Sequence, residues 1–386
     1  MTTAFKLLGQ GFDTIQLSFQ TRIPDTLAAA VKEAQALAKR NRRPEPVELG
    51  PRCVKGEVLS HGGGGGDAMF STGEFGELYF IKTDQKGDEW GVTVKLRALT
   101  LLCLGLPEAL DTMFQRVSGL GLSVRGYSLG RIDYRLDVLC PGDFKLEGER
   151  LVRPNRSRCV PYISVPFGRD HPLFHWNDDP DDRVILRGAE IATFMVGKIG
   201  TSVQSIIYDK LAECRARRNL VLLEAYGLME ASDTGLFRVE FRWAGDTLKR
   251  HKKVRDFRTL GERLQPLLVD ATRKVRYVQD LPCRTNSLAH ERLHPLWEAV
   301  AGGIQDATIA QPSQFAPERA GHILLEERKR SLTANITGCS LGLAAMSEVD
   351  PQKVIALAPE IARKIVENAL VKDPSQATQA VRRANL

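Results

Sequence analysis

Two segments of this sequence place charged side chains at every second position, the pattern of a β-strand with one polar face. They are Gly130–Leu139 (GRIDYRLDVL) and Leu236–Trp243 (LFRVEFRW). Because side chains alternate along a strand, charged groups take one face and apolar groups the other. The charged set is Arg131, Asp133, Arg135, Asp137, Arg238, Glu240 and Arg242. Either strand alone indicates a solvated face with cross-strand ion pairs more than an active site.

A tyrosine lies between these segments, at a predicted junction of strand and helix. The residues Ser205–Glu213 (SIIYDKLAE) predict a strand that ends near Tyr208 and a helix that begins near Lys210. A tyrosine can act as a covalent nucleophile, but its ordinary pKa is about 10, so its ionisation needs help. Lys210 lies two residues after Tyr208, at the start of the predicted helix. The alternative interpretation of Tyr208 is a half-buried core tyrosine.

The elements around these residues predict an α+β fold, with a largely antiparallel sheet and flanking helices. Alternating patterns predict further strands near residues 12–19, 77–81, 90–96 and 192–196. Amphipathic patterns predict helices near residues 23–38, 106–120 and 210–226, and the prolines at 44, 46 and 51 are expected to interrupt the chain. From Leu248 onward the pattern is mostly helical. We therefore expect one domain over residues 1–265 and a helical C-terminal region over residues 266–386.

The bulk composition favours a polyanionic partner. The net charge is +7, and a basic cluster follows the second charged strand, comprising Lys249, Arg250, Lys252 and Lys253. Such a cluster is usually a solvated face, but here it flanks the proposed site and favours phosphate-backbone contact. The seven cysteines are scattered and form no C-x-x-C pair, which argues against a disulfide framework. No apolar run is long enough to span a bilayer, so we expect a cytoplasmic protein without a membrane partner.

The order of these motifs resembles the trans-acting initiators of rolling-circle replication, a family that includes plasmid initiators and the replication initiation factors of filamentous phages and integrative elements. The family pattern is an R-x-D-x-x-x-D strand, a glycine turn, an apolar-x-Tyr-[Asn/Asp]-Lys-x-x-Glu segment and an R-x-E strand. The corresponding residues are Arg131, Asp133, Asp137, Gly197, Ile207, Tyr208, Asp209, Lys210, Glu213, Arg238 and Glu240, followed by Lys249. The resemblance covers about residues 90–250 and the first strand near Asp13.

This resemblance implies a metal-dependent enzyme that nicks and rejoins origin DNA through a 5′-phosphotyrosine intermediate. Tyr208 would be the nucleophile, Lys210 would lower its pKa or hold the phosphate, and Arg131 would assist by positioning. Asp133, Glu240 and Asp137 would hold Mg²⁺ or Mn²⁺. The residues implied in nucleic-acid binding are Arg238, Arg242, Lys249, Arg250, Lys252 and Lys253. Origin DNA, single-stranded or extruded as a hairpin, would be the main partner, with a host helicase and a homodimer as further expectations.

Three alternatives stay open. A conjugative relaxase of an integrative element would share the chemistry, and a non-catalytic DNA-binding regulator would keep the basic clusters without needing Tyr208. The third is a zinc metalloprotease, because His290–His294 reads H-E-x-x-H. The metalloprotease is disfavoured, since Pro295 follows directly and opposes a helical conformation at His294.

Overall fold

The computed structural model describes residues 5–63, 66–84, 90–152, 183–187, 190–197, 203–280 and 291–346, together with Glu360, Arg363, Lys364 and Glu367. The helices are α1 (Asp25–Asn41), α2 (Ala98–Gly119), α3 (Lys210–Arg217), α4 (Leu220–Ala225), α5 (Phe257–Lys274), α6 (Pro295–Gln305) and α7 (Pro317–Met346). None of these described helices is long and apolar enough to cross a membrane.

Eleven strands form one sheet in which every neighbouring pair is antiparallel. They are β1 (Lys6–Thr21), β2 (Glu45–Leu49), β3 (Val54–Val58), β4 (Ala68–Ser71), β5 (Leu78–Ile81), β6 (Val92–Leu96), β7 (Val124–Pro141), β9 (Arg183–Arg187), β10 (Glu190–Val196), β11 (Gln204–Asp209) and β12 (Thr234–Ala244). Their order across the sheet is β2-β3-β4-β5-β6-β1-β7-β12-β11-β10-β9. Two short strands, β8 (Leu151–Val152) and β13 (Arg276–Tyr277), pair separately. The predicted α+β class is confirmed.

The sheet buries one face against helices because its strands alternate as the sequence predicts. Phe241 and Trp243 of β12 are fully buried and lie beside Trp297 of α6, with the Phe241 and Trp297 ring centroids 6.4 Å apart. This main core joins the strands to α1, α2, α5 and α6. The predicted boundary at residue 265 falls inside α5, and both halves of that helix belong to the same core. The described structure therefore does not divide the chain at residue 265.

A second, smaller core lies on the opposite face, at one end of the sheet. It contains residues of α3 and α4 with Leu236 and Leu139, which alternation places on the same face as Arg238 and Asp137. The first turns of α7 also pack there through Ala320, with Ile323 and Leu324 partly buried. The rest of the polar face carries the charged residues.

The residues between α6 and α7 complete an open edge of β1. Strand β6 pairs with β1 over Ile15–Phe19 and does not reach the first half of β1. There, the Oε1 atom of Gln311 accepts a hydrogen bond from the Phe12 amide at 3.2 Å, and the Nε2 atom of Gln314 donates to the Gln10 carbonyl at 2.8 Å. Side-chain amides thus replace a neighbouring strand.

Two differences from the sequence interpretation concern α1 and α3. The proline-containing stretch after α1 forms β2 and β3 rather than an interruption, because Pro46 lies in β2, at the edge of the sheet. The predicted helix over residues 210–226 is two helices, since Arg218 adopts a left-handed conformation with φ of 54°.

Candidate active site

Tyr208 lies in the row of residues that crosses the polar face. Its register partner on β12 is Arg238, and Arg238 pairs in turn with Asp137 of β7. The side chain of Asp209 accepts a hydrogen bond from the Ala212 amide at 2.8 Å and caps α3, so the strand ends and the helix begins directly after the tyrosine. The predicted strand-to-helix junction is therefore present.

The Tyr208 side chain is partly exposed, and no described residue forms a hydrogen bond with its hydroxyl. Burial raises the pKa of Tyr208 well above its ordinary value. Arg238 opposes this shift, whereas Glu240, Asp13 and Glu213 add to it. The phenol is consequently protonated in the free protein, and the cation that favours its ionisation is Arg238.

Lys210 lies beside the ring of Tyr208 rather than at its hydroxyl. Its Nζ atom is 5.6 Å from the ring centroid, and it forms an ion pair with Glu213. The cation that opposes the rise in the tyrosine pKa is therefore Arg238 rather than Lys210. Lys210 instead contacts the aromatic ring through a cation–π interaction.

Asp137 is the centre of a buried ion-pair cluster. Arg238 donates to both of its oxygens, with distances of 2.6 Å from Nε and 2.9 Å from Nη2. Arg135 is 2.5 Å from Oδ2, and Tyr226 donates its hydroxyl proton to the same oxygen at 2.8 Å. Burial alone would raise the pKa of Asp137, but Arg238 and Arg135 hold that pKa well below its ordinary value.

This geometry changes the roles expected for two residues. Since four hydrogen bonds occupy both oxygens of Asp137, its carboxylate has a structural role here, and the predicted role as a metal ligand is not favoured. The Arg238 side chain is only 3% exposed. Its guanidinium pairs with Asp13 and Asp137 inside the protein, and its contact with nucleic acid stays a prediction.

Asp133 and Glu240 form the second half of the charged face. Arg131 donates to both oxygens of Asp133 at 2.8 and 2.5 Å, so the predicted catalytic arginine is an ion-pair partner. Arg242 links the two carboxylates, at 3.1 Å from Asp133 and 2.8 Å from Glu240. The predicted nucleic-acid role of Arg242 therefore competes with two internal ion pairs.

Glu240 is a buried carboxyl group whose pKa is raised. Burial, and then the neighbouring Asp13 and Asp133, raise its pKa to about 7, against the opposing effect of Arg242 and Arg238. Burial and acidic neighbours both disfavour the charged form of a carboxyl group. A cation that approached Glu240 would therefore favour its anion.

Asp13 is a site residue that the motif comparison placed only approximately. It accepts a hydrogen bond from Nη1 of Arg238 at 2.6 Å. The β1–β7 register shifts between Phe12 and Thr14, which indicates a β-bulge that carries Asp13. The sequence contains a signal for this bulge, because the apolar positions step by three from Phe12 to Ile15 before they alternate again.

The basic cluster after β12 divides into exposed and paired members. Arg250 and Lys253 are exposed, while Lys252 forms a 2.5 Å ion pair with Asp270. Lys249 has its Nζ atom 5.8 Å from the ring centroid of Trp90. Arg250 and Lys253 therefore keep their predicted availability for phosphate, whereas Lys252 is partly neutralised.

The donor chemistry fits Mg²⁺ or Mn²⁺, because carboxylate oxygens are their preferred protein ligands. Among the described residues, no group of three or more His, Cys, Asp or Glu side chains is close enough to hold a metal ion in the present arrangement. Asp13, Asp133 and Glu240 are the best-placed carboxylates, since Glu240 experiences the charge of both others.

The described part of the H-E-x-x-H sequence does not form a zinc-binding helix. Residues 291–294 are non-helical, and His290 lies outside the described residues. His294 caps α6, where its Nδ1 atom accepts a hydrogen bond from the Leu296 amide at 3.0 Å. Its ring packs edge-on against Phe5 and Tyr277. His294 is therefore a capping and packing residue.

Comparison with known proteins adds no identification. No protein-family model matches the chain, and no curated protein matches it. The geometry of the polar face is thus the basis for any functional conclusion.

Proposed function

We propose that this protein is a nicking and joining enzyme for single-stranded or extruded DNA that initiates rolling-circle replication, with Tyr208 as its covalent nucleophile. The observation that carries the proposal is the position of Tyr208. A partly exposed tyrosine lies beside Arg238 and within the electrostatic reach of Asp13 and Glu240. Tyr226 is also surrounded by a buried arginine and a carboxylate, but its hydroxyl is occupied by both of them.

The chemistry is a transesterification. The Tyr208 oxygen forms a bond to the phosphorus, the bond from phosphorus to the 3′ oxygen breaks, and that oxygen takes up a proton to become a free 3′-hydroxyl. The phenol proton leaves to a neighbouring carboxylate or to water. One phosphodiester replaces another, so the reaction can run backwards and rejoin the strand without ATP.

The residues of the polar face have distinct roles in this proposal. Arg238 would stabilise the phenolate, because its charge opposes the rise in the pKa of Tyr208 that burial causes. Asp13, Asp133 and Glu240 would hold the divalent ion, and the ion would polarise the scissile phosphate when bound. Asp137 positions Arg238, since it accepts two hydrogen bonds from that guanidinium.

The test is covalent capture on denaturing gels. Purified protein is incubated with Mn²⁺ and single-stranded fragments tiled across the genetic element that encodes it. We expect an adduct with one fragment, its loss in Tyr208→Phe and its retention in Tyr127→Phe, a matched control in the main core. An adduct that persists in Tyr208→Phe would exclude this nucleophile, and the absence of an adduct with every fragment would favour a DNA-binding regulator.

A host helicase and a cytoplasmic location follow from this proposal.

We also propose that the protein is a homodimer formed through α7. Leu325, Leu332 and Ile336 are 43–55% exposed, and with Cys339 they follow the spacing of about 3.5 residues typical of a coiled-coil stripe. Helical geometry places this stripe opposite the Ala320 face that packs on the body.

A second copy suits the part of this stripe after Arg330, because that part of α7 carries no charge. Residues 331–346 contain no Asp, Glu, Lys or Arg, so two α7 helices meet without like-charge repulsion. Sedimentation equilibrium should show a dimer that Ile336→Glu converts to a monomer. Leu341→Glu, on the other side of the helix, is the matched control. A monomeric wild-type protein would contradict the dimer.

A further inference from the structure

An exposed tryptophan lies where four segments of the chain meet. Trp90 is 40% exposed and forms a bridge with Thr21, the last residue of β1. Thr21 is also the register partner of Val124, the first residue of β7. The Nζ atom of Lys249 lies 5.8 Å from the Trp90 ring centroid. At this exposure, part of the indole is accessible to a ligand.

Several exposed cations lie near Trp90 in the described part of the chain, while Asp88 and Glu89 precede it in the sequence. Arg22 follows Thr21, the bridge partner of Trp90, and Arg125 follows Val124, the register partner of Thr21; both arginines are exposed. The amide of Leu129 donates to the carbonyl of Arg255, which brings the chain after Lys249 back to the start of β7. The exposed cations contributed by this last segment are Arg250, Lys253 and Arg255.

Among the described residues, Lys249, Arg250 and Lys253 lack the ion pairs that two neighbouring cations of this surface form. Lys252 is paired with Asp270 at 2.5 Å, and Arg258 with Glu262 at 4.0 Å. Lys249, Arg250 and Lys253 have no ion pair within the described part of the chain. A solvated structural surface would balance its charges, whereas an anion-binding surface leaves cations available.

We propose that Trp90 and the cations around it form a binding site for single-stranded DNA, in which an unpaired base stacks on the indole and Lys249, Arg250 and Lys253 contact the phosphates. Aromatic stacking combined with a basic surface is how proteins bind single strands without reading sequence. A base pair inside a duplex keeps its faces covered, so the indole selects unpaired bases. That the strand is DNA rests on the proposed function.

The position of this site predicts how the substrate lies. Val124 is 13 residues before Asp137 along β7, and Asp137 lies in the row that contains Tyr208. At about 3.3 Å per residue, the two sites are roughly 40 Å apart along the strand. This separation corresponds to about 12 nucleotides at stacked spacing. Trp90 therefore holds the flank of the substrate rather than the scissile phosphate.

The experiment measures binding without chemistry. Fluorescence anisotropy is recorded in Tyr208→Phe protein with a labelled oligo-dT of about 20 nucleotides and with a duplex of equal length. We expect Trp90→Ala to weaken oligo-dT binding about tenfold, with little effect on the duplex. Trp90→Phe should retain most of the affinity. Met229→Ala, which removes another exposed apolar side chain, should have no effect.

A salt titration separates stacking from charge. The slope of log affinity against log salt should be unchanged by Trp90→Ala and smaller by about 1.4 in Arg250→Ala/Lys253→Ala, about 0.7 for each phosphate that the protein no longer neutralises. Unchanged oligo-dT affinity in Trp90→Ala, or an equal weakening for oligo-dT and duplex, would overturn this site. Neither result tests Tyr208, because the covalent adduct is measured in a separate experiment. If no adduct forms but binding of oligo-dT still depends on Trp90, the proposed nuclease activity fails and the Trp90 binding site stands.

Discussion

Asp133 and Asp137 lie on the same face of β7, four residues apart, and each pairs with two arginines, yet the exposure of those arginines differs. Asp137 is completely buried between two arginines that are each 3% exposed, and Tyr226 adds a hydrogen bond. Asp133 is equally buried, but its partners Arg131 and Arg242 are 28% and 17% exposed. Each carboxylate shares one arginine with another acid, Arg238 with Asp13 and Arg242 with Glu240.

This difference gives the two ends of the charged face of β7 different roles: a structural role at Asp137 and a proposed chemical role near Asp133. Two buried arginines hold Asp137 as an anion, and this anion positions Arg238. Beside Asp133, burial and then the charges of Asp13 and Asp133 raise the pKa of Glu240 to about 7, so Glu240 takes up a proton more readily than an exposed carboxylate. The surroundings, rather than the residue type, distinguish the two parts of the charged face.

The largest expected effect comes from removing the charge of Asp137. Asp137→Asn leaves Arg135 and Arg238 buried without a full counter-charge, which should lower the free energy of unfolding by about 3–5 kcal/mol. Asp133→Asn should cost only about 1–2 kcal/mol, because its arginines reach solvent. Urea unfolding of both variants measures the contrast, and equal decreases would show that the two clusters are equivalent.

An intermediate effect concerns the pH dependence of Glu240. The folded protein binds a proton at Glu240 more tightly than the unfolded chain, so Glu240 makes the free energy of unfolding fall as pH rises from about 4.5 to 7. Glu240→Gln should remove this fall, about 2 kcal/mol, when stability is compared at about pH 5 and pH 8 in EDTA. Parallel pH profiles of the two proteins would contradict the raised pKa.

The smallest effect concerns the Tyr226 hydroxyl, which donates to Asp137 and accepts from Arg135 at 2.8 Å. Tyr226→Phe should lower the free energy of unfolding by about 1–2 kcal/mol, since the ion pairs of Asp137 survive. Tyr127→Phe, measured by the same thermal unfolding, is the control and should change stability by less. If Tyr226→Phe equals Asp137→Asn, the hydroxyl rather than the arginines stabilises the cluster.

Much of the framework could be predicted because alternation determines it. The charged faces of β7 and β12 and the start of α3 after Tyr208 follow from patterns within single segments. The β2–β3 pair was missed, since prolines suggested a break where an edge strand tolerates them. The boundary at residue 265 was misplaced because contacts between α6 and the sheet have no signature in local sequence.

The roles within the site depended on partners that a sequence cannot place. Arg238 and Arg242 have the same spacing from Glu240, yet Arg238 is buried against Asp137, and Arg242 lies between Asp133 and Glu240. Their difference arises from the register of β12 against β7. Likewise, Asp13 joins the cluster through a register shift in β1, which is a property of two strands together.

The glutamine side chains at the edge of β1 have a consequence for biosynthesis. The hydrogen bond from the Phe12 amide cannot form until Gln311, which lies 299 residues later in the chain, has been synthesised. At translation rates of about 5–20 residues per second, that edge stays unprotected for roughly 15–60 s on the ribosome. During this interval the first strand of the nascent protein presents unpaired backbone groups to other chains, and a chain truncated before Gln311 would keep them exposed permanently.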